Sequence, residues 1–379
     1  MKVLCLNKIS PVGMKVLPST YTVTEDVNEA DAILVRSANM LETVLPENVV
    51  TVARAGAGVN NIPLDVYAKA GVVVFNTPGA NANAVKELTI AAMLLAARDI
   101  RGSMEWVKEN KGDELINKSM EKAKAAFAGT EILGKTLGIV GLGAIGALVA
   151  QAAGSLGMHV IAVEPSAATV ERNKHLLPAD IELVSNDELY SRADYITVHV
   201  PLCDGTKGMI NKDAFSKMKD GVIIINCARD AIVNDDDLKV AIESGKVRRY
   251  VTDFPNYKTA NMDGVIAISH LGASTEEAED NCAAMAAQQV VGYIEAGNII
   301  NSVNYPRIDL GAKSGKRVVV LYEGDKAQEV ANVVNKAGVL KSASGMKGQF
   351  GAYVAEVSGD VNEAELKSIA GVTRIRVIK

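Results

Sequence analysis

The glycines at 141, 143 and 146 form a Gly-x-Gly-x-x-Gly string, Gly141–Leu142–Gly143–Ala144–Ile145–Gly146, directly after the apolar run Thr136–Val140. A helical pattern, ALVAQAAGSLG, follows, and His159–Val163 reads as the next strand, so the string opens a complete βαβ unit. Each glycine then has a physical task. Gly141 permits a tight turn, Gly143 lets a diphosphate approach the backbone, and Gly146 allows the helix to pack close to the strand. The helix amino terminus offers unpaired N–H groups and a positive dipole end, with Ala144 and Ile145 in its first turn. Glu164 closes the second strand, where a carboxylate accepts from ribose hydroxyls and repels a 2′-phosphate. Pro165–Ser166–Ala167–Ala168 supplies no cation to receive such a phosphate. The expected chemistry is binding of NAD rather than NADP.

Two further residues stand where a reaction partner would meet that dinucleotide. Exchange of a hydride with a hydroxy acid needs a group to take the hydroxyl proton and a cation to hold the carboxylate. His270, in Ser269–His270–Leu271–Gly272–Ala273–Ser274, follows the apolar run Val265–Ser269. Arg229, in Asn226–Cys227–Ala228–Arg229, follows Val222–Asn226. Both therefore belong at the carboxyl edge of a sheet, where open α/β sheets bind ligands. An arginine there can grip a carboxylate with a bidentate fork.

Elements that place these residues recur along the chain. The first eighty residues give strands at Val3–Leu6, Ala32–Val35, Val49–Ala53 and Val72–Phe75, with a helix-compatible stretch at Pro63–Ala70. A long helix is expected over Asn83–Ile100, mostly buried. A second block adds strands at Tyr195–Val200 and Tyr250–Asp253 to those already named. A helix over Glu276–Glu295 should return the chain to the first block. Such alternation predicts parallel sheets covered by helices. The linker SVNYPRIDLGAKSGK, with Pro306 and two glycines, suits a boundary, and the remainder reads βαββαβ, a ferredoxin-like order.

The fold class expected is α/β, with two doubly wound parallel-sheet lobes and a small tail. One lobe is a Rossmann NAD-binding domain over 81–274, and the other is a flavodoxin-like substrate domain built from 1–80 and 275–308. The ferredoxin-like βαββαβ tail spans 315–379. The charged stretch Arg101–Glu131 reads either as solvated helix or as an arm packing on a second subunit.

Composition narrows the class. Of 379 residues, 48% are hydrophobic and 22% charged, enough for ordinary cores, and the length suggests two or three domains. A net charge of −5 supplies no footprint for nucleic acid or an anionic membrane. No apolar run approaches a bilayer span, and the amino end reads as a first strand rather than a leader. Cys5, Cys203, Cys227 and Cys282 lie far apart, which argues for a reducing cytoplasm and against a disulfide scaffold or thiolate metal site. Cys203 and Cys227 have no neighbouring base to make them nucleophiles. The four histidines are equally dispersed, and Asp235–Asp236–Asp237 after Asn234 reads as the acidic first turn of a capped helix; no metal is expected.

Together GKTLGIVGLGAIG, ADYITVHVPL, INCARDAIVNDDDL, VTDF and SHLGAST resemble the D-isomer-specific 2-hydroxyacid dehydrogenases, over nearly the whole chain. VRSANM, ARAGAGVNN and NTPGANANAVKEL resemble members acting on a small phosphorylated 2-hydroxy acid, and the tail resembles an ACT regulatory module. The resemblance implies oxidation of 3-phospho-D-glycerate to 3-phosphohydroxypyruvate, the entry to serine synthesis, in a cytoplasmic homodimer or homotetramer. Another 2-hydroxy acid, or NAD sensing by a binding protein on the same fold, is the alternative. It further implies that Arg229 binds the substrate carboxylate and that His270 is the acid/base. Asp253 would hydrogen-bond the nicotinamide carboxamide, while Val200, Cys227, Ala228 and Gly272 would line the cofactor slot. Arg36, Ser37, Arg54 and Asn81 match substrate-contacting positions, and the two arginines suit a phosphate.

Three departures stand out. The family's glutamate that pairs with the histidine is missing from Asp253–Phe254–Pro255–Asn256–Tyr257–Lys258, although a carboxylate neighbour stabilises an imidazolium. Lys258, or an acid such as Asp263, is expected to set the charge there instead. Asp230 replaces the glycine usual after the arginine, and either pairs with Arg229 or points to solvent. The tail has Glu323–Gly324–Asp325–Lys326 where amino-acid-binding ACT modules have Asn-x-Pro-Gly, which points to oligomerisation rather than serine feedback.

Overall fold

The computed structural model describes residues 1–379. The chain folds into two compact units, residues 1–81 with 276–379, and residues 82–275. In the first unit, strands β1 (Lys2–Cys5), β2 (Thr22–Thr24), β3 (Ala32–Val35), β4 (Thr51–Arg54) and β5 (Val73–Phe75) form one sheet in the order β2-β1-β3-β4-β5. All its pairings are parallel, and the order is that of flavodoxin-like sheets. β3 is buried at every position, as a central strand covered on both faces requires. The short edge strand β2 and the helix Pro11–Val16 have no counterpart in the apolar pattern: β2 alternates threonine and valine on a largely exposed edge.

In the second unit β6 (Thr136–Val140), β7 (His159–Val163), β8 (Glu182–Leu183), β9 (Tyr195–Val198), β10 (Val222–Asn226), β11 (Val247–Thr252) and β12 (Val265–Ala267) form a seven-stranded sheet. Its order is β12-β11-β10-β9-β6-β7-β8, parallel throughout, so the winding reverses between β6 and β9. That switch point marks the ligand-binding crevice of such sheets. The expected helix over Asn83–Ile100 divides: one helix runs Ala82–Ala97, and another, Ile100–Glu109, starts anew under the Asp99 carboxylate, which accepts from the Gly102 N–H at 2.9 Å. β9 and β12 each end two residues earlier than expected, which leaves Ser269 and His270 in loop conformation.

The tail carries β13 (Lys316–Glu323), β14 (Val339–Lys347), β15 (Phe350–Val357) and β16 (Val372–Ile378) in an antiparallel sheet ordered β14-β15-β13-β16. The expected βαββαβ order is observed. The sheet does not stand apart, however. Val319, Leu321, Phe350, Ala352 and Val354 share one core with Tyr293 and Ile294 of the helix Glu276–Ala296, and with Phe75 and Leu34 of the first sheet. Arginines sew the junction to main-chain carbonyls: Arg376 donates to Tyr293 and Ile294, and Arg374 to Glu47 and Ala70.

Arg317 is the innermost of these. It is fully buried, donates to the carbonyls of Ala296, Gly311 and Ala312, and pairs with the buried Glu356 at 2.8 Å. The Ser314 hydroxyl and then the Arg317 guanidinium hold the Glu356 carboxyl at about 2, below its ordinary 4.5. A carboxyl whose pKa is lower folded than unfolded adds stability above the unfolded value and loses it as pH falls. The chain should therefore weaken as pH drops from about 4.5 through about 2, and Glu356→Gln should remove that slope in acid-unfolding curves.

Candidate active site

The carboxyl ends of β6, β10, β11 and β12 carry the residues of the second unit singled out for chemistry, apart from Glu164, Val200, Lys258 and Asp263. At the end of β6, Gly141 adopts φ 95°, a left-handed turn that a side chain would strain. A Cβ on Gly146 would lie 1.9 Å from the Gly141 carbonyl oxygen, so the helix Ala144–Ser155 starts hard against the turn. Gly143 is different: nothing lies within 4 Å of where its Cβ would be. It caps the helix without a side-chain hydrogen bond, leaving the N–H groups of Ala144 and Ile145 in the first turn without an intrahelical partner. A glycine cradle at a helix amino terminus fits a diphosphate.

Glu164, beyond β7, accepts from the Leu142 N–H at 2.9 Å and the Ser166 N–H at 3.0 Å. Its carboxylate is thereby fixed beside the glycine turn, with lone pairs left for ribose hydroxyls. His199 follows β9 and abuts the same turn through its carbonyl. Burial pushes its imidazole down to about 4, so it adds no positive charge there near neutral pH. Val200 reaches the turn as well, within 2.9 Å of the position of a Gly141 Cβ. Cys227 is enclosed after β10, where burial pushes its thiol up to about 12, and it remains protonated.

Arg229 and His270 are held by their backbones. The buried Asn226 side chain accepts from the N–H of Ala228 (3.0 Å) and Arg229 (3.3 Å), and donates to the Arg229 carbonyl (2.8 Å) and the Tyr250 hydroxyl (3.0 Å). The loop carrying Arg229 is thus closed on both sides by one amide. His270 adopts φ 58°, rare for a residue with a Cβ. Asp253, at the end of β11, pins that conformation by accepting from Leu271 N–H at 2.7 Å and Gly272 N–H at 2.8 Å. Burial raises the Asp253 carboxyl, with those two N–H groups pulling the other way. Backbone in this region persists only where its surroundings hold it, and the Asp253 carboxylate supplies that hold.

Phe254 touches both of these candidate side chains. Its ring centroid is 4.3 Å from that of His270, and the Arg229 guanidinium carbon lies 5.1 Å from the centroid. Lys258 is paired elsewhere: its ammonium is held by both carboxylate oxygens of Asp236, at 2.7 and 2.9 Å, rather than by any contact with His270. Asp263 precedes β12 while His270 follows it, so a parallel strand separates them to opposite edges. Asp230 is exposed and forms no ion pair with Arg229. The remaining aspartates serve structure: Asn234 caps the helix Asp235–Glu243, Asp235 accepts from Asn256, and Asp237 accepts from the Lys212 N–H.

The first unit gathers a second set of cations. Asn7 accepts from three consecutive N–H groups, those of Arg36, Ser37 and Ala38, at 2.9–3.1 Å, and so shapes the loop after β3. Arg54 Nε donates to the Arg36 main-chain carbonyl at 3.0 Å, which ties the Arg54 side chain to the loop after β3. Arg36 also pairs with Glu279 at 2.7 Å. Asn81 is half-buried at the end of this segment. Asn7, Asn226, Phe254 and Glu279 were not legible as site residues. A motif such as Asn at a strand end hints at Asn226, but nothing local marks Phe254.

Residues 90–272 match the family described as D-isomer specific 2-hydroxyacid dehydrogenase, NAD binding domain. The chain is 34% identical over 380 residues to D-3-phosphoglycerate dehydrogenase of Mycobacterium tuberculosis (strain ATCC 25618 / H37Rv), covering 92% of this chain and 67% of that one. It is 38% identical over 265 residues to hydroxypyruvate reductase of Thermotoga maritima, covering 67% of this chain and 81% of that one. Its fold is similar to the crystal structure of NAD+-bound 3-phosphoglycerate dehydrogenase of Entamoeba histolytica, with TM-score 0.62, 26% identity, and coverage of 80% and 98%. No helix is long and apolar enough to cross a membrane.

Proposed function

The chain belongs to the D-isomer-specific 2-hydroxyacid dehydrogenase family and is an NAD-dependent enzyme; from that premise we propose that it oxidises 3-phospho-D-glycerate to 3-phosphohydroxypyruvate. The observation that carries the reaction is the joint placement of Arg229 and His270 at one sheet edge, on either flank of Phe254. Arg229 donates one Nη1 bond to the Ala228 carbonyl at 2.6 Å and keeps its other N–H donors for a carboxylate. His270, exposed and clamped through its neighbours, takes the proton from the substrate hydroxyl at an imidazole nitrogen. NAD, when bound, supplies the hydride acceptor. Gly143, Ala144, Ile145 and Glu164 are the residues suited to hold it.

Support for the phosphorylated substrate comes from the Arg54 side chain being tied to the main chain of Arg36, on the loop after β3, and from the names of the mycobacterial relatives. Glu279 pairs with Arg36 at 2.7 Å, so an arriving phosphate would share that guanidinium with a carboxylate. Lys258 belongs to the Asp236 pair in this reading and takes no part in proton transfer. The same reading includes a homodimer or homotetramer. The helices Ile100–Glu109 and Ile116–Ala123 bury no residue and leave Met104 68% and Met120 44% exposed, apolar side chains on a charged arm that a second copy could cover.

NADH oxidation with 3-phosphohydroxypyruvate, measured against hydroxypyruvate, glyoxylate and 2-oxoglutarate, tests the substrate. Preference for the phosphorylated acid, lost on Arg54→Gln, is expected. Equal or better turnover of an unphosphorylated acid would refute the substrate and leave the reaction class. NADH binding without turnover of any of them would refute the dehydrogenase reading.

A further inference from the structure

We propose that Phe254 is the positioning residue of this site: its ring is the platform that sets Arg229 and His270 in register for reaction. The inference rests on the reading of those two residues as the substrate-binding and proton-transferring pair. Three observations lead to it. No carboxylate hydrogen-bonds the His270 imidazole, so the backbone clamp of Asp253 places the residue but leaves the ring free about its own side-chain bonds. The one directional contact made by that ring is with Phe254, at 4.3 Å and tilted by 46°. Offset and tilted ring pairs at this separation are favoured by the aromatic quadrupole.

The same ring carries Arg229. A guanidinium 5.1 Å from the centroid lies within cation–π range, and its planar shape lets it rest on an aromatic face. One side chain therefore fixes the spacing between the group that grips the substrate carboxylate and the group that takes its proton. Phe254 itself is anchored by its main chain, whose N–H donates to the Thr252 hydroxyl at 3.0 Å. The ring belongs to none of the hydrophobic cores and is only half-buried. A large apolar ring left out of every core and set between two polar side chains serves the site, and replacing it should leave the fold intact.

The experiment uses the full-length chain with Phe254→Leu and Phe254→Tyr. Steady-state kinetics in the reductive direction give kcat and KM, and NADH fluorescence gives cofactor affinity. NMR of the protein labelled with 13C-histidine reads the His270 ring; with four histidines in the chain, His270→Asn assigns its resonance. Phe254→Leu should lower kcat by about 10- to 100-fold, the scale of losses from small misplacements of reacting groups. NADH affinity should stay within about twofold, since Phe254 lies outside the glycine cradle. The His270 resonance should lose its ring-current shift, and Phe254→Tyr should restore both kcat and shift. A His270 resonance unmoved by Phe254→Leu overturns the platform, whatever happens to turnover. So does unchanged kcat. If the unaltered chain turns over none of the acids, the reaction reading falls, and the resonance shift by itself still supports or rejects the contact.

Discussion

Replacing His270 by glutamine should lower turnover by about 10²- to 10⁴-fold, the range that positioned acid–base groups contribute, while NADH binding changes little. The asymmetry is the informative part. His270 lies beyond β12, held by Asp253 through the two N–H groups that follow it, whereas the dinucleotide cradle is built at the end of β6 from Gly143 and the helix it caps. Glutamine at 270 keeps the main-chain clamp and a polar side chain but offers no group that accepts a proton near neutral pH. Arg229→Lys makes the complementary case. It keeps the charge and loses the planar fork and its rest on Phe254, so KM for the oxo acid should rise more than kcat falls. Fluorescence titration with NADH beside steady-state kinetics separates the two. A His270→Gln protein within tenfold of the parent in kcat would mean that another group moves the proton.

The second large effect concerns stability. Arg317→Met should cost about 1–3 kcal/mol, since it takes a donor from the carbonyls of Ala296, Gly311 and Ala312 and leaves Glu356 with only Ser314 and Lys341, the latter at 3.4 Å. Arg317 is fully buried and holds four main-chain or side-chain oxygens besides Glu356, from the end of the helix Glu276–Ala296 to the linker before β13. The paired change Arg317→Met with Glu356→Leu should recover much of the loss, because a well-packed apolar pair avoids the buried charge altogether. Truncation after Leu310 is expected to be more severe. It would strip Val319, Leu321, Phe350, Ala352 and Val354 from a core shared with Phe75, Tyr293 and Ile294. Thermal and urea unfolding of the three proteins checks this, and a truncated chain that melts at the parental temperature would show that the tail is an independent appendage after all.

What was readable without a fold was local. The glycine spacing, the strand before it and the helix after it identify a dinucleotide cradle because turn geometry and helix initiation are decided within a few residues. Arg229 and His270 could be placed because each lies three residues beyond the end of a strand, and parallel strands deliver their carboxyl ends to one edge. Asp253 was singled out only through the family resemblance, and its grip on the His270 loop depends on β11 and β12 being neighbours. Lys258 marks the limit of adjacency. It follows Asp253 by five positions, yet a short helix, Tyr257–Ala260, carries it to Asp236.

Phe254, Asn7 and Arg317 had no local signature, since a phenylalanine after a strand, an asparagine in a loop and an arginine at a strand start are commonplace. Tertiary structure gave each its task by bringing partners from distant segments. Phe254 lies between the loops after β10 and β12, Asn7 crosses to the loop after β3, and Arg317 meets Glu356 across the antiparallel pair β13–β15. The sequence by itself determined the kind of chemistry, because backbone turns and strand periodicity are short-range. Only the folded chain decided what aligns that chemistry and what holds the tail, because ring contacts and buried ion pairs depend on which long-range neighbours packing supplies.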